Sequence, residues 1–259
     1  MRKQEIHRRD AEAQRKDETQ NLRARRGQRE SGQIRGKGLA VLCCAIAVAW
    51  PIAAQVAKDA NARYQTVEGR QEVARNLIGT DRDERQKPGQ FVREMGLKPG
   101  MTVADVGTGI GYMLPFLSRA VGPSGKVIAE DLFDDYLTAA RQRATNQNLS
   151  NVTFIKGSDK DPMLPEGSVD CVLVLDVYHH FDYPQAMLAG IHKALKPDGH
   201  LVLAEYYKRP GAMANGQAET HIRLDLPDVI KEIEANHFHL VSEHETIRNS
   251  QYMLILEKN

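Results

Sequence analysis

Cysteine is scarce, with three in 259 residues. Cys43 and Cys44 are adjacent, and Cys171 stands alone inside the apolar run Val-Asp-Cys-Val-Leu-Val-Leu. That arrangement gives no disulfide framework, and Cys171 reads as a small buried apolar side chain rather than a nucleophile. Metal-ligand spacing is lacking too. No Cys-x-x-Cys or His-Glu-x-x-His occurs, and His179 and His180 are sequence neighbours that point in different directions, so no metal is expected. The folded part also lacks an excess of positive charge. Residues 1–37 carry 12 Lys/Arg against 6 Asp/Glu, and the remainder 23 against 28. Nucleic acid needs clustered Lys/Arg on the folded surface, so an acidic body excludes it as the expected partner.

What is present begins with that basic front. Residues 1–37 are rich in Arg, Gln and Glu and poor in large apolar residues. They cannot bury enough surface to offset the entropy of ordering and are expected to form a disordered tail. Residues 38–57 are apolar throughout from Leu39 to Ala54, with a basic flank before and Lys58-Asp59 after. This predicts a signal peptide, with small residues such as Ala53 and Ala54 near a cleavage point, or an uncleaved membrane anchor. The basic side would stay cytoplasmic, giving a membrane-anchored or exported domain. A misplaced start, with the apolar run opening an ordinary export signal, would account for the long basic front; a cytoplasmic location is the alternative. Residues 58–81 turn polar and are expected to be a connector, with a short helix near 71–77 and no chemistry of their own.

From 82 to 259 the periodicity alternates. Short β-rich runs fall at 101–106, 126–130, 152–155, 170–175 and 199–206. Helical stretches at 112–121, 134–146 and 184–195 separate most of them, a parallel βαβ pattern. Asp225 as cap and Pro227 in the first turn start a last helix. Runs at 238–245 and 251–257, joined by only a few residues, predict a hairpin with an antiparallel member.

Asp105-Val-Gly107-Thr108-Gly109-Ile-Gly111 lies at the end of the first strand, where open α/β sheets place their ligands. Glycines there let a ligand approach the backbone, and the following helix offers free N–H groups. A dinucleotide fingerprint needs G-x-G-x-x-G, and position 112 is Tyr. The spacing G-x-G-x-G with an acid two residues earlier resembles the first motif of class I S-adenosylmethionine-dependent methyltransferases, particularly the ubiquinone and menaquinone C-methyltransferase type. The similarity runs from about 82 to 256. It implies an α/β, Rossmann-like, seven-stranded, mostly parallel sheet with a C-terminal antiparallel hairpin, preceded by the disordered and apolar front. It also implies S-adenosyl-L-methionine as cofactor, held by Asp105, Gly107, Thr108, Gly109 and Gly111.

Glu130 and Asp131 end the second strand, where the family's acid grips both ribose hydroxyls; Asp131 fits the register better. Gly157-Ser158-Asp159 stands where the family has Gly-Asp facing the adenine amine, so that role passes to Ser158, Asp159 or main chain. Gln86-Lys87-Pro88 resembles a segment that folds over the cofactor in related enzymes.

The fourth strand ends in Asp176-Val-Tyr178-His179-His180, beside the transferable methyl group. Methyl transfer is an in-line displacement that needs alignment and, for a hydroxyl or acidic carbon, a base. His179 or His180 fits that base, with Tyr178 or Asp176 orienting a small-molecule acceptor. Glu205, Tyr206 and Tyr207 end the fifth strand as further pocket candidates, and His221 and Arg223 precede the last helix. Two functions follow. One is methyl transfer to a small molecule; the other is a non-catalytic, exported or membrane-anchored binding protein with a methyltransferase fold.

Overall fold

The computed structural model describes residues 56–77, 79 and 81–259. The predicted tail of 1–37 and all but the last two residues of the 38–57 segment lie outside the described residues. Among the described residues no helix is long and apolar enough to cross a membrane.

Seven strands form one sheet, Thr102–Val106 (β1), Lys126–Asp131 (β2), Val152–Lys156 (β3), Val169–Leu175 (β4), Leu195–Tyr206 (β5), Phe238–Ile247 (β6) and Gln251–Lys258 (β7). Their spatial order is β3-β2-β1-β4-β5-β7-β6. β1 to β5 run parallel, and β7 lies antiparallel to both β5 and β6. The predicted α/β sheet with a terminal hairpin is therefore what the chain forms. β5 starts earlier than its apolar run suggests, directly after the preceding helix, with a register shift between Val169 and Cys171.

Helices cover the two faces. After Val67–Leu77 (α1), Arg82–Gln86 (α2) and Pro88–Glu94 (α3) come Leu114–Val121 (α4), Asp134–Asn146 (α5), Pro184–Ala194 (α6), Ala218–His221 (α7) and Leu226–Glu234 (α8). Alternation along β4 divides the core. Val172 and Val174 pack under α6 and α8 with Leu188, Ile191, Val229 and Ile233. Cys171, Leu173 and Leu175 face the other way, against Phe91, Met95, Leu114 and Leu117. A strand buried on both faces needs this continuous apolar sequence, and each such side chain contributes roughly 1.5–3 kcal/mol by leaving water. Cys171 is fully buried, as its sequence context implies. The Asp225 side chain accepts from the Asp228 N–H, the expected cap of α8.

The short helix expected near 71–77 is present as the end of α1, and the stretch before it is more ordered than a connector. The chain here continues a helix to residue 60, passes through a 3₁₀ turn at Asn61–Gln65 and forms α1. It is tied to the domain by Arg70 Nε, bonded to both Asp135 oxygens at 2.8 and 3.0 Å, and by the Tyr136 hydroxyl donating to the Arg70 carbonyl. α1 buries no residue. Its contacts are polar and aromatic rather than an apolar stripe, so periodicity gave little sign of them.

Candidate active site

The carboxyl ends of β1, β2 and β4 open into a cavity of about 210 Å³. β1 delivers Asp105 and then a turn in which Gly107, Gly109 and Gly111 have φ of +73°, +55° and +77°, a region costly for other residues. Each glycine meets something different. A Cβ at Gly107 would strike Val177 at 2.6 Å, and one at Gly111 would strike Leu114 at 2.7 Å and crowd Ala140, so Gly111 serves helix packing. A Cβ at Gly109 would find only Leu77, at 3.9 Å. Gly109 thus leaves its backbone open to the cavity.

Two acids at the end of β2 fix this turn. Glu130 Oε2 accepts from the Gly107 N–H at 3.2 Å, and the Glu130 carbonyl accepts from Thr108 N–H at 2.8 Å. Asp131 Oδ2 accepts from Gly109 N–H at 2.8 Å and Oδ1 from Phe133 N–H at 2.9 Å. Thr108 Oγ1 donates to Asp105 Oδ2 at 2.7 Å. Asp105, Glu130 and Asp131 are all buried and line the cavity. Burial pushes the Asp105 and Asp131 carboxyls up to about 6, and raises Glu130 well above its ordinary range. Ser158 and Asp159 also line the cavity. The Ser158 hydroxyl oxygen accepts from its own loop, from Asp161 N–H at 3.0 Å, so Asp159 is the freer of the two.

The end of β4 builds the opposite wall. Asp176 adopts φ +57°, a strained conformation for a residue with a side chain. It is held by its N–H donating to the Ala204 carbonyl at 2.9 Å and by Gln251 Nε2 donating to Oδ1 at 2.6 Å. Gln86 in turn donates to Gln251 at 2.9 Å. Burial and the neighbouring Glu205 raise the Asp176 carboxyl, opposed by the Arg82 guanidinium.

A 3₁₀ turn at Tyr178–His180 follows. His179 is buried, and its Nδ1 donates to Glu205 Oε2 at 2.6 Å. His180 lines the cavity, with Nδ1 donating to Asn61 Oδ1 at 2.8 Å while Asn61 Nδ2 donates to the His180 carbonyl. Both rings are held well below the ordinary imidazole range by burial, so both are neutral and each presents Nε2 as an acceptor.

Tyr178 is placed elsewhere. It is buried in the core under α6 and α8, and its hydroxyl donates to Glu232 Oε1 at 2.6 Å, beneath the Arg223 guanidinium. The expectation that it orients an acceptor is corrected, because successive residues of a 3₁₀ turn diverge and this one turns into the core. Arg223, ahead of the last helix, is committed to Glu232 through both of its Nη atoms.

Asn61, Tyr64, Arg82 and Phe133 line the cavity without having been singled out in the sequence. Tyr64 stacks on Phe133 at 6.1 Å and meets His180 edge-on at 4.9 Å. The Arg82 guanidinium lies 3.7 Å over the Tyr112 ring. Nothing in a polar run such as Asn-Ala-Arg-Tyr marks these residues; only their position over the sheet does. Six acids, aromatic rings and a single Lys/Arg among the lining residues suit a cationic nucleoside ligand.

A family model described as a methyltransferase domain matches residues 104–203. The ubiquinone/menaquinone biosynthesis C-methyltransferase of Marinomonas sp. is 29% identical over 45% of this chain and 47% of its own length. That of Pasteurella multocida is 30% identical over 44% of this chain and 42% of its own. The match spans about half the length of these curated relatives. Among solved structures, a SAM-dependent methyltransferase from Aquifex aeolicus is 27% identical with a TM-score of 0.66, over 70% of this chain and 95% of that one. The cyclase SpnF, 17% identical with a TM-score of 0.58 over 67% of this chain and 81% of its own, shares the fold alone. With this strand order, glycine turn and paired acids, the chain carries a class I S-adenosylmethionine-dependent methyltransferase domain. The cofactor of that class is S-adenosylmethionine, and the acidic, aromatic cavity fits it.

Proposed function

We propose that this protein transfers a methyl group to a nucleophilic atom of a small molecule held at the ends of β4 and β5. The observation that carries the reading is the placement of His180, a neutral imidazole fixed through Nδ1 by Asn61, in the lining of the same cavity as the glycine turn. S-adenosylmethionine, when bound, supplies an electrophilic methyl on a sulfonium.

The chain's own part is positioning and proton handling. Asp131 holds the ribose hydroxyls, its ionised carboxylate having lone pairs beyond those given to Gly109 and Phe133. Asp105 and Thr108 face the methionine part, and Asp159 or the neighbouring main chain faces the adenine. His180 Nε2 takes the acceptor's proton, and His179, fixed by Glu205, backs it. Asp176, anchored by Gln251, shapes the wall beside them. A hydroxylated quinone-type ring is the first acceptor class to try, since the curated relatives are named for C-methylation in ubiquinone and menaquinone biosynthesis.

Calorimetric titration of the full chain with S-adenosylmethionine and with its demethylated product tests the reading. Micromolar binding by the wild type, lost in Gly109→Val and Asp131→Ala, supports it. A folded wild type that binds neither compound sinks it and leaves a non-catalytic role for the fold.

A further inference from the structure

The sequence shows no metal motif, yet three imidazoles converge beside the cavity. His179 and His180 come from the 3₁₀ turn after β4, and His221 closes α7 in the excursion between β5 and α8. One ring nitrogen from each lies within 4.8 Å of the other two. Ring centroids are 4.0 Å apart for His179–His180, 4.9 Å for His179–His221 and 5.5 Å for His180–His221. We propose that His179, His180 and His221 form a site for a divalent transition-metal ion of the zinc type, with its fourth position open toward the cavity.

Three features beyond proximity support the assignment. The first two ligands already have outer partners, Glu205 for His179 and Asn61 for His180, each on Nδ1, leaving Nε2 for the ion. This carboxylate or carbonyl behind a histidine is the usual way a metal ligand is oriented. The second feature is charge. Among the described residues, the Glu205 side chain is 1% exposed and has no Lys or Arg partner, while Arg223 nearby is taken up by Glu232. A divalent cation would compensate the buried carboxylate. The third is ligand type, because imidazole nitrogens suit zinc, cobalt, nickel or copper and not magnesium or calcium. A Zn–N bond of about 2.0–2.1 Å places tetrahedral nitrogens roughly 3.4 Å apart, so side-chain movements of about 1 Å close the triad.

The inference rests on reading this wall as the acceptor side, and it narrows the acceptor. An ion occupying the site takes up the Nε2 lone pairs, and it then replaces His180 as the group that favours an ionised acceptor. Acceptors with a metal-binding hydroxyl, enolate oxygen or thiol fit an open fourth position.

The test uses untagged full-length protein stripped with a chelator and titrated with Co²⁺. The expected result is the intense visible absorption of four- or five-coordinate cobalt at one equivalent, displaced by Zn²⁺ and unaffected by Mg²⁺. His221→Gln, on a partly exposed side chain, is expected to weaken binding about 100-fold, and Glu205→Gln about 10-fold. Absence of the bands in folded wild type overturns the proposal, as does binding unchanged in both His221→Gln and His180→Gln. Calorimetry of His221→Gln with S-adenosylmethionine separates the two readings. Cofactor binding is expected to persist there, and loss of cofactor binding by wild type would overturn methyl transfer while leaving the cobalt result standing.

Discussion

The two walls of the cavity are built by different means. On the β1–β2 side, carboxylates from one strand end grip backbone N–H groups of the turn beside it, Glu130 to Gly107 and Asp131 to Gly109. On the β4–β5 side, side chains are held by other side chains, His179 by Glu205 of the neighbouring strand, and His180 and Asp176 by partners far away in sequence, Asn61 and Gln251. The first wall is rigid because the turn itself is fixed. The second is rigid only while several remote elements stay docked. Substitutions in the first wall should therefore remove cofactor binding from an intact fold, and those in the second should lower rate or stability with binding preserved.

The largest effect should come from beneath the second wall. Glu232→Ala leaves the Arg223 guanidinium, 4% exposed, without its partner and frees the Tyr178 hydroxyl. A loss of about 3–5 kcal/mol is expected, read as a lowered midpoint in urea unfolding. Asp131→Ala should weaken S-adenosylmethionine roughly 100-fold, about 2.7 kcal/mol, with little change in that midpoint. A stability loss as large as that of Glu232→Ala would erase the contrast between the walls.

His180→Gln should lower kcat about 100-fold while the KM for the cofactor stays within a factor of about three, the split expected of a group that serves the acceptor. Asn61→Ala should cost about 1 kcal/mol of stability and about tenfold in kcat, by releasing the His180 ring. The smallest effect concerns pH. Asp105 and Asp131 ionise near 6 in the free protein, above their ordinary value of 3.8, because burial disfavours the charge. Only the ionised forms suit a cationic nucleoside, so cofactor affinity should rise from pH 5 to about pH 7 and then level, and Asp131→Asn should shrink the rise to the part due to Asp105. Affinity that falls over this range would contradict the assignment of these acids to the cofactor.

How much could be read in advance follows from the same contrast. Asp105, the three glycines and Asp131 lie within two short segments at strand ends, and their spacing alone resembles a known motif. The central strand β4 announced itself because burial on both faces demands a continuous apolar run. Asn61, Tyr64 and Arg82 sit in polar stretches with no apolar face, and Tyr178 turns into the core because adjacency to two histidines does not fix which way a 3₁₀ turn points each residue.

The sequence by itself determined the order of strands and helices, the hairpin at the end and the cofactor turn, all of which depend on local periodicity and on backbone conformations that only particular residues adopt. Tertiary structure alone decided that Asn61, Tyr64 and Leu77 line the cavity, that Tyr178 supports the core, and that His221 joins His179 and His180. Those outcomes depend on contacts between residues remote in sequence, where no local spacing records which side chains will meet.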